Sequence, residues 1–111
     1  MVAAILKALA LKGIWAWRAN SGTQVIAASK RARRRAIKGA PAGTPDILLV
    51  LRRVPGCDDD VGALCGLEVK SETGTQRLSQ KAWQAKAERH GVRYAVVRSV
   101  REALAAVEAW A

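Results

Sequence analysis

Asp46, Glu68 and Lys70 are the three side chains whose types and spacing could do chemistry together. Glu68 and Lys70 are two residues apart inside ALCGLEVK, an apolar stretch of strand length, so in a strand they share one face. Leu67 and Val69 then turn the other way, into a core. Asp46 follows Pro45 and opens DILLVL, a continuous apolar run that reads as a second buried strand. If residues 52–62, with Pro55-Gly56 and the acidic run Asp58, Asp59, Asp60, return the chain as a hairpin, the start of one strand meets the end of the other. Two carboxylates and one ammonium then gather at one end of a sheet. Hard oxygen ligands from Asp46, Glu68 and the Val69 backbone carbonyl suit Mg²⁺ or Mn²⁺. Such an ion neutralises and polarises a phosphodiester. Lys70 would stabilise charge developing on the phosphate or help handle the attacking water's proton. Each residue alone has a plainer reading, Asp46 as a turn residue and Glu68–Lys70 as a surface ion pair. Their order and spacing carry the chemical one.

Charge points to the same kind of ligand. The 111 residues hold 19 Lys plus Arg against nine Asp plus Glu, a net charge of +10. Residues 1–45 carry nine of the bases and no acid, whereas residues 46–111 carry ten bases and all nine acids. The first part is thus +9 and the second +1. A basic half of that kind binds a polyanion on electrostatics alone. Lys30, Arg31, Arg33, Arg34, Arg35 and Lys38 crowd into residues 28–45, which end in Gly and Pro and read as a phosphate-contacting loop that orders on its ligand.

The elements that must position these residues follow from periodicity and caps. Residues 2–12 read as a helix closed by Gly13. Ile14 to Arg18 alternate as a strand with Trp15 and Trp17 on one face, and Thr23 to Ala27 look like its hairpin partner across Asn20-Ser21-Gly22. Strands 46–51 and 63–70 follow. Ser79 is placed to cap a helix from Gln80 to His90, and 92–98 is a strand. Ser99, with Glu102 three residues on, opens a last helix that turns Val100, Leu104 and Val107 to one side. The expected architecture is a single α/β domain over residues 1–111, with a mixed central sheet flanked by helices in the order α-β-β-β-β-α-β-α.

Other classes recede. No apolar run approaches the ~20 residues of a membrane span, and the Ala-rich start reads as a helix, so no membrane partner is expected. Cys57, Cys65 and the single His90 cannot form a four-ligand zinc site without carboxylates. Reduced thiols in a cytoplasmic protein are the simpler reading. Trp15, Trp17 and Trp110 are expected in the core or at a dimer interface, and His90 beside a helix C-terminus.

Pro45-Asp46, 21 intervening residues and Glu68-Val69-Lys70 resemble the PD-(D/E)xK nuclease superfamily. Further segments agree in order. They are Trp17-Arg18-Ala19-Asn20-Ser21-Gly22, Gly43-Thr44-Pro45-Asp46-Ile47-Leu48, Glu68-Val69-Lys70-Ser71, Gly74 and Leu78-Ser79-Gln80-Lys81-Ala82-Trp83. The succession resembles the VRR-NUC branch, the virus-type replication–repair nucleases, in its short stand-alone, phage-like form, from about Ile5 to Val107. The resemblance implies a restriction-endonuclease-like sandwich and a Mg²⁺- or Mn²⁺-dependent endodeoxyribonuclease. Asp46, Glu68 and the Val69 carbonyl would be its metal ligands, Lys70 its catalytic lysine and Gln80 a catalytic residue above the site. Arg18, Asn20 and Ser21 would face nucleic acid. It further implies a homodimer acting on branched or four-way (Holliday) junction DNA in the cytoplasm of a bacterium or phage-infected host, with 5′-phosphate and 3′-hydroxyl products. The family's first-helix glutamate has no counterpart, since no acid precedes Asp46. That departure leaves one or two ions open and motivates the alternative, a basic nucleic-acid-binding module derived from a nuclease.

Overall fold

A computed structural model describes residues 1–19, 41–52 and 62–111 with their side chains, and 23–26 and 35–38 as backbone. The elements are α1 (Val2–Leu11), β1 (Trp15–Arg18), β2 (Thr23–Ile26), β3 (Arg35–Lys38), β4 (Ile47–Leu51), β5 (Ala63–Val69), α2 (Leu78–Arg89), β6 (Arg93–Val97) and α3 (Val100–Trp110). The expected α/β class and mixed, helix-flanked sheet are present. Strands β1-β4-β5-β6 form that sheet, antiparallel except where β6 runs parallel to β5.

Two expectations are corrected. Ile14–Arg18 does not pair with the segment after Gly22; β1 lies against β4, with Trp17 opposite Leu48 and Arg18 opposite Ile47. Residues 35–38, expected within a loop, form β3 and pair with β2 as a separate two-stranded sheet. A β-branched partner explains the latter: Thr23-Gln24-Val25-Ile26 offers a ladder to Arg35-Ala36-Ile37-Lys38, whose Ala36 and Ile37 are apolar. Arg35 and Lys38 are therefore strand residues.

The sheet's two faces have different duties. Ile47, Leu49, Leu51, Cys65, Leu67 and Val97 pack with Ile5 and Leu9 of α1 and Ala103 and Val107 of α3 into the core. Leu67 is fully buried and Val69 packs at the margin, as the alternation predicts. Three caps shape the helices. Gly13, at φ +74°, ends α1, and Ser99 Oγ accepts the Glu102 N–H at 3.1 Å to start α3. Helix α2 starts at Leu78 with Arg77 as N-cap, two residues before the Ser79 cap expected, and Gln80 Oε1 accepts the Arg77 N–H at 2.8 Å. Cys65 is a buried free thiol, raised in pKa by burial, with Arg93 opposing. No helix among the described residues is long and apolar enough to cross a membrane.

Candidate active site

The opposite face of the sheet, under α2, holds the polar centre. Backbone continuity sets its frame: Ala19 N–H donates to the Asp46 carbonyl at 2.9 Å, prolonging the β1–β4 ladder. Lys70 N–H donates to the Val97 carbonyl at 3.0 Å, prolonging β5–β6. Between these rails, Asp46 reaches across, and its Oδ2 accepts the Val69 N–H at 2.9 Å. The planar trans peptide aims a carbonyl opposite to its N–H. The Val69 carbonyl therefore points away from β6, toward the side from which Asp46 approaches.

Residues before β4 hold Asp46 in place. Thr44 is buried, with its N–H and hydroxyl both bonded to the Pro41 carbonyl, at 3.1 and 2.6 Å. Gly43 sits at φ +86° against α2, and a Cβ there would lie 2.1 Å from the Ser79 carbonyl oxygen. Only glycine fits that backbone approach. Pro45 in turn packs on Gly66, where a Cβ would meet the proline ring at 2.8 Å.

Glu68 is 2% exposed. Its Oε1 accepts from Gln80 Nε2 at 3.0 Å and lies 3.9 Å from Lys70 Nζ. Its Oε2 is buried with no hydrogen-bond partner. Burial, followed by the close approach of the Asp46 carboxyl and its negative charge, pushes the Glu68 pKa from 4.5 up to about 8, with Lys70 and Arg77 pulling the other way. Gln80 is itself buried and oriented at both ends, its oxygen by the Arg77 amide and its nitrogen by Glu68. Tyr94 hydrogen-bonds Gln76 and has its pKa pushed up to about 12 by burial, with smaller contributions from Glu68 and Asp46.

The structure brings together Asp46, Glu68, Lys70, Gln80 and the Val69 backbone. Arg18 is exposed at the end of β1 and pairs with Ile47, so its side chain alternates away from the face that carries Glu68. Asn20, Ser21, Lys30, Arg31, Arg33 and Arg34 lie outside the described residues, as do Cys57 and Asp58 to Asp60. Sequence reasoning missed Arg77, which faces Glu68 electrostatically without any periodic signal to mark it. Trp15, expected in the core or at a dimer interface, is 70% exposed and so lies outside the core. His90 caps the end of α2, with its Nδ1 2.8 Å from the Lys86 carbonyl.

The donor set fits a divalent cation. A buried carboxylate oxygen lacking any partner, next to a second carboxylate and a carbonyl, is what a hard cation satisfies. Among the described residues no cluster of three or more His, Cys, Asp or Glu exists. Helix α1 carries no acid, in keeping with a site of two protein carboxylates.

A family model of the VRR-NUC domain matches residues 3–101 of the 111. The chain belongs to the VRR-NUC family and is a nuclease-type domain. Neither a curated relative nor a solved structure matches it.

Proposed function

We propose that this chain is a Mg²⁺- or Mn²⁺-dependent endodeoxyribonuclease. It hydrolyses phosphodiester bonds in branched or four-way junction DNA and works as a homodimer in the cytoplasm of a bacterium or phage-infected cell. The observation that carries the reading is the orphaned Glu68 Oε2, buried beside Asp46 and flanked by Lys70 in a chain of a nuclease family.

Asp46, Glu68 and the Val69 carbonyl would hold the cation, which supplies Lewis acidity and charge neutralisation toward the phosphodiester. Lys70 has its ammonium held near Glu68, from which it meets the negative charge that grows on the phosphate oxygens. Gln80 keeps one Glu68 oxygen occupied and so leaves the other as the free donor. That makes Gln80 a positioning residue, a narrower role than contact with phosphate or water. Arg18, the six bases between Lys30 and Lys38, and Asn20 and Ser21 supply the nucleic-acid face. A two-fold dimer would present two such centres to opposite strands of one junction.

The second reading, a binding module without catalysis, is favoured by the acid-free α1. The two readings separate on Asp46→Ala. The nuclease loses metal-dependent cleavage and keeps salt-sensitive DNA binding, whereas the module never cleaves in Mg²⁺ or Mn²⁺.

A further inference from the structure

Trp15 and Trp17 lie on the sheet face that carries Glu68. The register puts Trp17 opposite Leu48, which is opposite Gly66, and Trp15 opposite Val50, which is opposite Leu64. Glu68 is two residues beyond Gly66, hence on the same face. The two indoles touch, with ring centroids 5.0 Å apart. Trp15 is 70% exposed and Leu64, in its row, 40% exposed. Helix α2 covers the β5–β6 side of this face, with Trp83 over Gly66 and against Tyr94. The β1 side keeps a large aromatic surface in solvent on an edge strand. An exposed indole backed by a half-buried one, on the face of a phosphodiester centre, has a specific use.

The geometry points to Trp15 and Trp17 as a stacking platform for an unpaired base of the DNA substrate, near the phosphate engaged by Asp46, Glu68 and Lys70. The proposal rests on the nuclease reading for the identity of that phosphate. The Trp17 row is about 7 Å and the Trp15 row about 14 Å along the strands from the level of Glu68, and β1 lies two strands, about 10 Å, to its side, which puts the indoles two to three nucleotides from it. Bases in a duplex already spend both faces on their neighbours, so only an unpaired or splayed base can stack here. The platform therefore favours substrates with an unpaired nucleotide near the cut over continuous duplex.

Charge decides between this occupant and a second copy of the chain. The platform belongs to residues 1–45, which are +9 with no acid. Pressing two such surfaces together sets like charge against like, whereas a nucleic-acid strand brings the complementary charge.

The test is equilibrium binding in EDTA at fixed salt, so that neither metal nor cleavage enters. The probes are a labelled oligothymidylate, an abasic oligonucleotide of the same length and a fully paired duplex. Wild type binds oligothymidylate about tenfold more tightly than the abasic strand, the scale of one aromatic–base stack. Trp15→Ala loses that preference, Trp15→Phe keeps most of it, and Trp15→Leu, apolar but not flat, loses it. Duplex binding stays within about twofold throughout. An unchanged preference in Trp15→Ala overturns the platform. So does an equal loss for all three probes accompanied by a change from dimer to monomer in sedimentation, which assigns the surface to a contact between copies. Cleavage of branched DNA by wild type in Mg²⁺ is scored separately, so either claim can fail while the other stands.

Discussion

Glu68 carries the most information of any residue here. It is buried, half satisfied by Gln80, and crowded by Asp46. A carboxyl whose folded pKa is about 8 rather than 4.5 binds its proton more tightly in the folded than in the unfolded chain. Its stabilising contribution is complete below about pH 4.5 and is lost as pH rises through about 8. Thermal melts in EDTA should thus show wild type losing stability relative to Glu68→Gln between pH 5 and pH 8. Mg²⁺ should offset that loss in wild type and have little effect on the variant. A flat difference across this range would mean that Glu68 is solvated and not held as described. Lys70→Ala should leave the fold and DNA binding intact while lowering the cleavage rate at least about a hundredfold, since it removes a charge that acts on the transition state. Single-turnover cleavage with matched binding measurements reads both.

At the scale of elements, the turn 41–45 and the start of α2 form one device. Gly43 lets the turn lie against the Ser79 carbonyl, Pro45 rests on Gly66, and Asp46 emerges pointing at the Val69 amide. Gly43→Ala combines a positive φ with a backbone collision and should cost about 2 kcal/mol or more. Because the same turn places Asp46, activity should fall further than the folded fraction does. Chemical denaturation and cleavage on the same preparation separate the two effects, and loss of stability alone would disconnect the turn from the site. Here the sequence was partly legible. Alternation in ALCGLEVK and the apolar run DILLVL predicted β4, β5 and their antiparallel pairing, and Ser99 with Glu102 predicted the cap of α3. Strand partners far apart in sequence were not legible. Asn20-Ser21-Gly22 is a strong local turn signal, yet β1 pairs with β4, where Leu48 and Val50 offer an apolar ladder that four residues of β2 cannot match. The cap of α2 was missed because its N-cap is an arginine, and the bond that marks it is Gln80 at N3 reaching back to the Arg77 amide. That Trp15 lies outside the core was not legible, because alternation tells which residues share a face and not whether that face is covered.

Across the whole molecule, charge and apolar core are separated along the chain. Core residues come from α1 and from the sheet and α3 beyond Asp46, whereas the segment that links β1 to β4 is almost purely cationic among its ionisable groups. DNA binding should therefore weaken steeply with salt. Replacing Arg33, Arg34 and Arg35 together by alanine should reduce the log–log salt slope by about 3 if each meets a phosphate, since each contact contributes roughly 0.9. Affinity should fall on all sequences alike, without altering the cleavage rate of bound substrate. An unchanged slope would move the phosphate contacts elsewhere on the surface.

The most direct test of the metal-dependent nuclease is cleavage of a labelled four-way junction, run beside its linear duplex and single strand, in Mg²⁺, Mn²⁺ or EDTA, with Lys70→Ala as the blank. Cuts are expected in either metal, none in EDTA or with Lys70→Ala, with paired cuts concentrated at the junction. Salt-sensitive binding of the junction with no cut in either metal would contradict it and leave a basic binding module in its place.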